Sequence, residues 1–333
     1  MKKILFSISI GTFLLYLSFK GVDLHSVFQP LRKLNYLYLV FIIITIVIIY
    51  FLRSFRLKYI INTLSPNLSF IQSLSYNCVG YFFILLLPMR LGELIIPYLI
   101  KKDGFLSISS ALSMIAVERL IDLIVLVSLL FFIVFNYVMP DWLLKSGVFL
   151  SGILLLGCIF FIIMYKHSHY AWKLLLPIMN LFPEPLHLKI KNILKGFKEG
   201  FSIFSSPVRV TFTVFISYVV WFLSATCVYF IFKFINLDLD YLTAISVMVI
   251  NVIGVSIPAG PAMIGNFQYS IIVALGLFGV DKNIAFSIAN VYYIISFSMT
   301  ILLGLPFFHY VNFRLSEIKS LYKEEKNESS YIS

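Results

Sequence analysis

Charged residues are scarce in this sequence of 333 residues, since Asp, Glu, Lys and Arg together make up only 12% of it. A soluble domain carries about 25% of such residues. Hydrophobic residues reach 60%, and the mean hydropathy is +0.97. The composition therefore excludes an ordinary soluble domain and predicts an all-α polytopic membrane protein.

Cysteine and histidine, common ligands of transition metals, are also few. Cys78, Cys158 and Cys227 lie in apolar segments without metal-ligand spacing and are interpreted as small buried hydrophobic residues. The five histidines form no His-x-x-x-His pair. The nucleotide-binding motif Gly-x-x-x-x-Gly-Lys-Ser/Thr and the hydrolase motif Gly-x-Ser-x-Gly are missing as well. We therefore predict no metal site, no cofactor and no catalytic residue.

Long apolar runs are what the sequence has in abundance. Six of them predict full membrane spans, at about 4–19, 37–52, 119–139, 143–165, 208–234 and 284–310. Two further apolar regions, 68–117 and 241–280, are interrupted by proline and glycine. They predict broken or re-entrant helix pairs, which are tolerated in a membrane only away from lipid. We expect one transmembrane domain over residues 1–312 and a solvated cytoplasmic tail at 313–333.

One motif occurs in both interrupted regions: Asn-x-x-Gly, a short apolar stretch, and then Pro-x-x-x-Gly followed by Glu or Asn. The first copy runs from Asn77 to Glu93 and the second from Asn251 to Asn266, so that the copies are 251 − 77 = 174 residues apart. Matching helix breaks in the two halves of a membrane protein indicate a transport site. The alternative is a chance match, because membrane helices are rich in both glycine and proline.

The distribution of Lys and Arg predicts the orientation, because these residues favour the cytoplasmic side. They are concentrated before the first span, in 166–207 and in the tail, and Arg53 and Arg56 follow the second predicted span. We therefore expect a cell-membrane protein whose N- and C-termini are both cytoplasmic. The two motif regions then enter from opposite faces, which predicts an inverted repeat of about 37–139 and 208–310.

The segment 166–207 mixes Lys and Glu with apolar residues at helical spacing. It predicts either an amphipathic helix on the anionic inner leaflet or an ordinary cytoplasmic connector. The net charge of +11 is concentrated on this predicted inner face, which favours membrane-surface electrostatics over nucleic-acid binding. No nucleic-acid partner is expected.

Charged residues inside apolar sequence are the first candidates for a functional site. Arg90 and Glu93 lie in the first motif together with Gly92, and a glycine lets the backbone approach a ligand closely. A helix that starts after Pro88 presents free N–H groups, and a guanidinium binds phosphate oxygens in pairs. These features predict a phosphate or carboxylate site. The alternative is that Arg90 extends to the cytoplasmic interface and Glu93 neutralises it.

A second polar cluster opens the span that follows the first motif. Glu118 and Asp122 are four residues apart and share a helix face, and Arg119 can bridge to Asp122. The cluster either holds the broken element in place or lines the permeation path. Asn77 and Asn251 are predicted to bond carbonyls that the breaks free. The second motif offers backbone and amide groups to a head group, and its candidate residues are Gly260, Pro261, Gly265, Asn266 and Gln268.

Three stretches in this order, Pro88–Glu93, Glu118–Asp122 and Ile257–Gln268, resemble the flippase-like membrane region of lysylphosphatidylglycerol synthases. The resemblance covers about 4–312. It implies lipid translocation, with two re-entrant elements that face each other near the middle of the bilayer. Full synthases also carry a soluble aminoacyl-transferase domain that this sequence lacks, so lysyl transfer by this chain alone is not expected.

The sequence thus predicts a lipid flippase-like transporter that moves an anionic or polyprenyl-phosphate-linked lipid across the membrane. One alternative is a membrane subunit of a lipid aminoacyl-transferase or glycosyl-transferase, which needs a separate soluble catalytic partner. Another is a scaffold that only anchors a biosynthetic complex. The partners considered are membrane lipids, a soluble transferase and further copies of the chain.

Overall fold

Helices make up nearly all of the computed structural model, which describes residues 2–28, 31, 33–87, 92–166, 196, 199–257 and 261–311. No strand occurs among these residues, so the all-α class is confirmed. The α-helices are α1 (Lys2–Phe19), α2 (Leu24–Phe28), α3 (Tyr36–Ile61), α4 (Phe70–Leu86), α5 (Ile95–Lys102), α6 (Ile108–Asn136), α7 (Asp141–Lys166), α8 (Pro207–Phe234), α9 (Tyr241–Ser256), α10 (Asn266–Gly276), α11 (Lys282–Gly304) and α12 (Phe307–Tyr310). Short 3-10 turns lie at Phe201–Ser205 and Pro261–Met263.

Several of these helices are suited to a membrane. Those long and apolar enough to cross one lie in Tyr36–Ile61, Asp141–Ile159, Pro207–Phe234 and Lys282–Tyr310. The segments Ser9–Phe19, Phe70–Leu86 and Tyr241–Ser256 are shorter apolar helices. The membrane class is therefore confirmed, while the number of six full spans stays a prediction. The predicted amphipathic helix at 166–207 falls mostly, and the tail at 313–333 wholly, outside the described residues.

α3 is longer than the apolar run that predicted it. The run ends at residue 52, but the helix continues to Ile61. The interpretation of Arg56 as a charge that follows the span is wrong, because its side chain belongs to α3 and is only 1% exposed. α6 also begins before its predicted start at 119, because the Ser107 hydroxyl accepts a hydrogen bond from the backbone of the first turn.

Each half of the molecule contains the same succession of helices. A long helix is followed by two short helices separated by a break and then by another long helix, as α3–α6 and again as α8–α11. Both breaks begin at the residue before a proline, since Leu87 and Ile257 have ψ angles of 134° and 126°. Proline disfavours the helical conformation in the residue that precedes it. Pro88 and Pro258 therefore end α4 and α9.

The two short helices of each half pack through the glycine of the Asn-x-x-Gly motif. A Cβ atom at Gly80 would lie 2.4 Å from Ile96 Cγ1, and one at Gly254 would lie 2.4 Å from Ser270 Cβ. These contacts are equivalent by position, because 254 − 80 and 270 − 96 are both 174. The repeated motif thus fixes the same close helix contact in both halves.

α3 and α8, the first helices of the two halves, pack against each other in antiparallel orientation. As residue numbers increase along α3, the numbers of their partners on α8 decrease. The contacting pairs are Asn35 with Phe234, Phe41 with Phe230, and Tyr59 with Phe212. α4 packs against α11, and α9 packs against α6. The halves are therefore interleaved rather than laid side by side.

The second break is held between α1 and α4. Gly265, whose φ is +90°, lies so close to α1 that a Cβ atom there would be 2.1 Å from the Gly11 carbonyl oxygen. The Lys282 ammonium fixes the end of α1 by donating to the Lys20 carbonyl at 2.5 Å. On the other side, the turn Pro261–Met263 contacts α4. The break in the second half thus lies against the helix that leads into the first break.

Candidate functional site

A buried ion cluster joins α3 to α6. The Arg56 guanidinium donates to Glu118 Oε1 from Nε at 3.2 Å, to Asp122 Oδ1 from Nη1 at 2.6 Å and to Asp122 Oδ2 from Nη2 at 3.1 Å. All three side chains are buried. The two carboxylates face the same partner, as their spacing predicts. The partner itself was missed, because Arg56 precedes Glu118 by 62 residues and its only local signal is a charge between apolar neighbours.

α8 completes the cluster from the second half. Ser217 Oγ accepts a hydrogen bond from Arg56 Nη1 at 2.5 Å, and Trp221 Nε1 donates to Asp122 Oδ1 at 3.2 Å. Glu118 and Ser217 each lie ten residues after the start of their helix (118 − 108 and 217 − 207). That distance is about 15 Å along the helix axis. The cluster therefore links the two halves well inside the helices, where an unpaired charge is costly.

Arg119 is an accessible cation beside this cluster. Its guanidinium lies 3.9 Å from Glu118 Oε1 and 3.8 Å from Asp122 Oδ2, which is beyond hydrogen-bonding distance. Its side chain is 45% exposed, whereas the side chains of Glu118 and Asp122 are 5% and 9% exposed. The bridge from Arg119 to Asp122 is therefore a long ion pair that leaves the guanidinium N–H groups available.

Arg53 lies one helical turn before Arg56 on α3, and sequence reasoning did not include it in the site. Its guanidinium lies over the ring of Tyr81 from α4, 4.9 Å from the ring centroid. Tyr81 directly follows the motif residue Gly80, so this contact joins α3 to the helix that leads into the first break.

The first break contributes Gly92 and Glu93. A Cβ atom at Gly92 would lie 2.2 Å from the backbone nitrogen of Ile84, so Gly92 packs closely against α4. The predicted close approach of a ligand to Gly92 stays a prediction. Glu93 is partly exposed and interacts electrostatically with Arg119. Three predicted site groups lie outside the described residues, and their roles stay predictions: Arg90, Gly260 and the side chain of Pro261.

Asn266 and Gln268 bond the backbone of the second break. Asn266 Nδ2 donates to the carbonyls of Gly254 and Ile257 at 3.2 and 2.9 Å. Gln268 Oε1 accepts a hydrogen bond from the Gly265 N–H at 2.9 Å. Both side chains are buried. These bonds satisfy polar backbone groups that the break frees, while the predicted contact of both residues with a head group stays a prediction.

The asparagines that begin the two motif copies do not bond the freed carbonyls, contrary to the prediction. Asn251 Oδ1 accepts from Ser270 Oγ at 2.8 Å, and Asn77 Nδ2 donates to Ser54 Oγ at 3.3 Å. Asn251 lies six residues before Ile257, about 9 Å along the helix axis, and is too far from the break. Each asparagine instead ties its helix to a neighbouring helix.

The arrangement suits an anionic group. The Arg53 guanidinium lies over Tyr81, and Arg119, whose side chain is 45% exposed, lies beside the buried cluster. Guanidinium groups bind phosphate and carboxylate oxygens in pairs. Among the described residues, no group of three or more His, Cys, Asp or Glu side chains could hold a metal ion.

Comparisons with known proteins extend over most of the chain. Residues 4–304 match the family model described as the lysylphosphatidylglycerol synthase TM region. A UPF0104 membrane protein of Methanocaldococcus jannaschii is 29% identical over 249 residues, which covers 73% of this chain and 97% of that relative. No solved structure matches the chain. The family match includes both breaks and the ion cluster.

Proposed function

Since the chain belongs to the family of the lysylphosphatidylglycerol synthase TM region, we propose that it is a lipid flippase-like transporter of the cell membrane. It moves an anionic or polyprenyl-phosphate-linked lipid between the leaflets. The head group crosses between the two broken helix pairs, while the lipid chains stay in the bilayer. Both termini of the protein face the cytoplasm.

The observation that carries this proposal is a contact between the two broken helix pairs. The turn Pro261–Met263 contacts α4, the helix that ends in the first break. Irregular backbone at membrane depth is tolerated where it is buried in protein or lines a polar cavity. In transporters with inverted repeats, substrate sites lie between discontinuous helices of this kind.

Two further features support an inverted repeat. The contact Gly80–Ile96 in the first half corresponds to the contact Gly254–Ser270 in the second half. Gly254 lies 174 residues after Gly80, and Ser270 lies 174 residues after Ile96. α3 and α8, which begin the two halves, run antiparallel. A two-fold axis that relates two antiparallel helices is perpendicular to them, and for spanning helices it lies in the membrane plane. This relation underlies alternating access to a central site.

The two halves contribute different chemistry to the proposed path. The first supplies Arg90, Glu93 and Arg119, and the second supplies bent backbone together with the amides of Asn266 and Gln268. A formal charge attracts an anion over a longer range than an amide does. We therefore expect the charge of the head group to be recognised mainly by the first half.

Reconstitution into liposomes tests the proposal. The purified protein is placed in vesicles that contain fluorescent phosphatidylglycerol or, in a parallel set, fluorescent polyprenyl phosphate. Dithionite then quenches only the label in the outer leaflet. We expect the protein to make the inner-leaflet label accessible at a faster rate than in protein-free vesicles. Equal rates with and without protein for both lipids would overturn the proposal.

The predicted role of Arg90 is tested in the same assay. Arg90→Ala removes the guanidinium that is expected to hold the phosphate, and the transport rate should fall while the protein stays folded. Arg209→Ala serves as the matched control, because Arg209 is exposed at the start of α8. Equal rates for wild type and Arg90→Ala would remove Arg90 from the site without affecting the proposal of transport.

The family description favours a second candidate function. It names a synthase, so the chain would act as the membrane subunit of a lipid aminoacyl-transferase or glycosyl-transferase with a separate soluble catalytic partner. Co-expression with a candidate soluble transferase and joint purification test this function. Aminoacyl or glycosyl transfer to lipid that requires both proteins would support it, and full transfer by the soluble protein alone would contradict it.

A further inference from the structure

We propose that Arg53, Tyr81 and Arg119 form a binding site for the phosphate ester of a net anionic lipid head group. This inference deepens the proposed function, since it assigns residues and a ligand class to the same path. Neither Arg53 nor Tyr81 is singled out by the sequence motifs. The site follows from the distribution of charge around the buried cluster and from the contact between Arg53 and Tyr81.

The buried carboxylates are already occupied. Arg56 donates hydrogen bonds to both Glu118 and Asp122, and it does so within the interior, where such pairing is needed to keep the ions there. Arg119 therefore contacts the same two carboxylates only at 3.9 and 3.8 Å. The two carboxylates partly balance the positive charge of Arg119 without accepting hydrogen bonds from it. Its N–H groups therefore remain available to a ligand.

Arg53 has no carboxylate within ion-pair distance among the described residues. Its contact is with the face of the Tyr81 ring, at 4.9 Å from the centroid. A cation–π contact of a partly exposed arginine is weak compared with the cost of a charge surrounded by apolar helix. An anion beside Arg53 would compensate this charge.

Arg53 and Arg119 are related through the buried cluster. Arg53 lies one helical turn before Arg56 on α3, and Arg119 lies 3.9 and 3.8 Å from the two carboxylates that Arg56 binds. The Arg119 side chain is 45% exposed, so that it can be reached by a ligand. Tyr81 of α4 lies against the Arg53 guanidinium.

The donors at this site match a phosphate ester. Two guanidinium groups offer N–H donors in planar forks that fit pairs of phosphate oxygens. The hydroxyl of Tyr81, whose ring lies under Arg53, adds a further donor. A net anionic head group is favoured, because two cations face it.

Transport in liposomes is the first test. Vesicles contain fluorescent phosphatidylglycerol, which is anionic, or fluorescent phosphatidylcholine, which is zwitterionic. We expect wild type to move phosphatidylglycerol faster, and Arg53→Gln and Arg119→Gln each to reduce that rate about tenfold or more, as the loss of a charge-assisted hydrogen bond implies. Arg53→Lys should recover part of the rate. Arg209→Gln, at the exposed start of α8, should behave as wild type.

Binding is the second test, and it does not depend on transport. Thermal unfolding of the detergent-purified protein is measured with added phosphatidylglycerol, phosphatidylcholine or inorganic phosphate. We expect phosphatidylglycerol to raise the Tm of wild type and of Arg209→Gln, and to raise that of Arg53→Gln and Tyr81→Phe less. If inorganic phosphate raises the Tm as much as the lipid does, the site binds free phosphate and the lipid assignment is wrong.

The two tests separate the two proposals. One outcome is that wild type moves no lipid, while phosphatidylglycerol raises the Tm of wild type but not that of Arg53→Gln. The transporter proposal then fails and the binding site stands. If wild type moves lipid while Arg53→Gln and Tyr81→Phe keep both the rate and the preference for phosphatidylglycerol, the site is wrong. Should Arg119→Gln fail to fold, these two variants decide the question on their own.

Discussion

Arg56 holds both oxygens of the Asp122 carboxylate, with Nη1 2.6 Å from Oδ1 and Nη2 3.1 Å from Oδ2. The remaining donors of the same guanidinium bond Glu118 and Ser217. One side chain of α3 thereby fixes α6 and α8. A buried pair of this kind stabilises little relative to apolar residues, but loss of one partner is severe.

Asp122→Ala should therefore lower the free energy of unfolding by about 3–5 kcal/mol, because it leaves a buried guanidinium with too little negative charge. Thermal unfolding in detergent measures the effect. Lys233→Ala is the matched control: it breaks the 2.7 Å pair with the fully exposed Asp238, and we expect no measurable change. Similar small changes in both variants would contradict a structural role for the cluster.

The motif glycines should differ in their tolerance of alanine. At Gly92 a Cβ atom would meet α4 backbone atoms at 2.2 and 2.3 Å, which cannot move aside, whereas at Gly80 it would meet the Ile96 side chain. We expect Gly92→Ala to be the more destabilising, and each to cost about 1–3 kcal/mol or more. At Gly152 nothing lies within 4 Å, so Gly152→Ala should leave stability unchanged or raise it slightly. Expression level and Tm in detergent rank the three variants.

Asn266→Ala should destabilise the second break, because it removes the donor that bonds the carbonyls of Gly254 and Ile257. The expected loss is about 1 kcal/mol, the net contribution of a typical hydrogen bond, because the Gly254 carbonyl still accepts from the Ile257 N–H. Faster hydrogen exchange confined to the amides of residues 254–268 is the specific readout. A transport defect with unchanged exchange and Tm would instead indicate that Asn266 contacts the head group.

Asp240 should give the N-terminal end of α9 a pH-dependent stability. Its Oδ1 accepts from the Thr243 N–H at 2.8 Å. Hydrogen bonds from Thr243 and from the Tyr137 hydroxyl lower the pKa of Asp240. Because the folded-state pKa lies below the unfolded value of about 3.9, the stabilisation is present above that value and is lost as the pH falls through the lowered pKa.

Asp240→Asn keeps a capping side chain and removes this titration. Between about pH 6 and pH 3, wild type should therefore lose more stability than Asp240→Asn, measured as the change in Tm over that interval. At neutral pH, Asp240→Ala should cost about 1 kcal/mol through loss of the cap. Parallel Tm curves for wild type and Asp240→Asn over the whole interval would contradict the assignment.

The sequence predicts local features of this molecule well and distant pairings poorly. The breaks at Leu87 and Ile257 follow from the next residue being proline, and the shared face of Glu118 and Asp122 follows from helical spacing. Arg56 was misplaced, because the end of an apolar run resembles the end of a span. The environment of Arg56 in the structure depends on carboxylates that lie 62 and 66 residues later. A helical or strand period in the sequence does not predict pairings over such distances.

The candidate site shows the same limit. Arg119 was recognised because it lies in an apolar span, next to two carboxylates. Arg53 and Tyr81 were not, because their relation is a contact between α3 and α4 and neither residue is unusual on its own. Asn266 was placed in the correct break, but its bonds to Gly254 and Ile257 depend on how the chain turns between them.

The buried Arg56 also sets an order for biogenesis. Its partner Glu118 is synthesised 62 residues later, and Ser217 and Trp221 later still. At a synthesis rate of about 5–20 residues per second, the arginine waits roughly 3–12 s for the first carboxylate. We therefore expect α3 to leave the ribosome with a charge that is costly in the bilayer, and its C-terminal half to reach its final position only after α6 has been made.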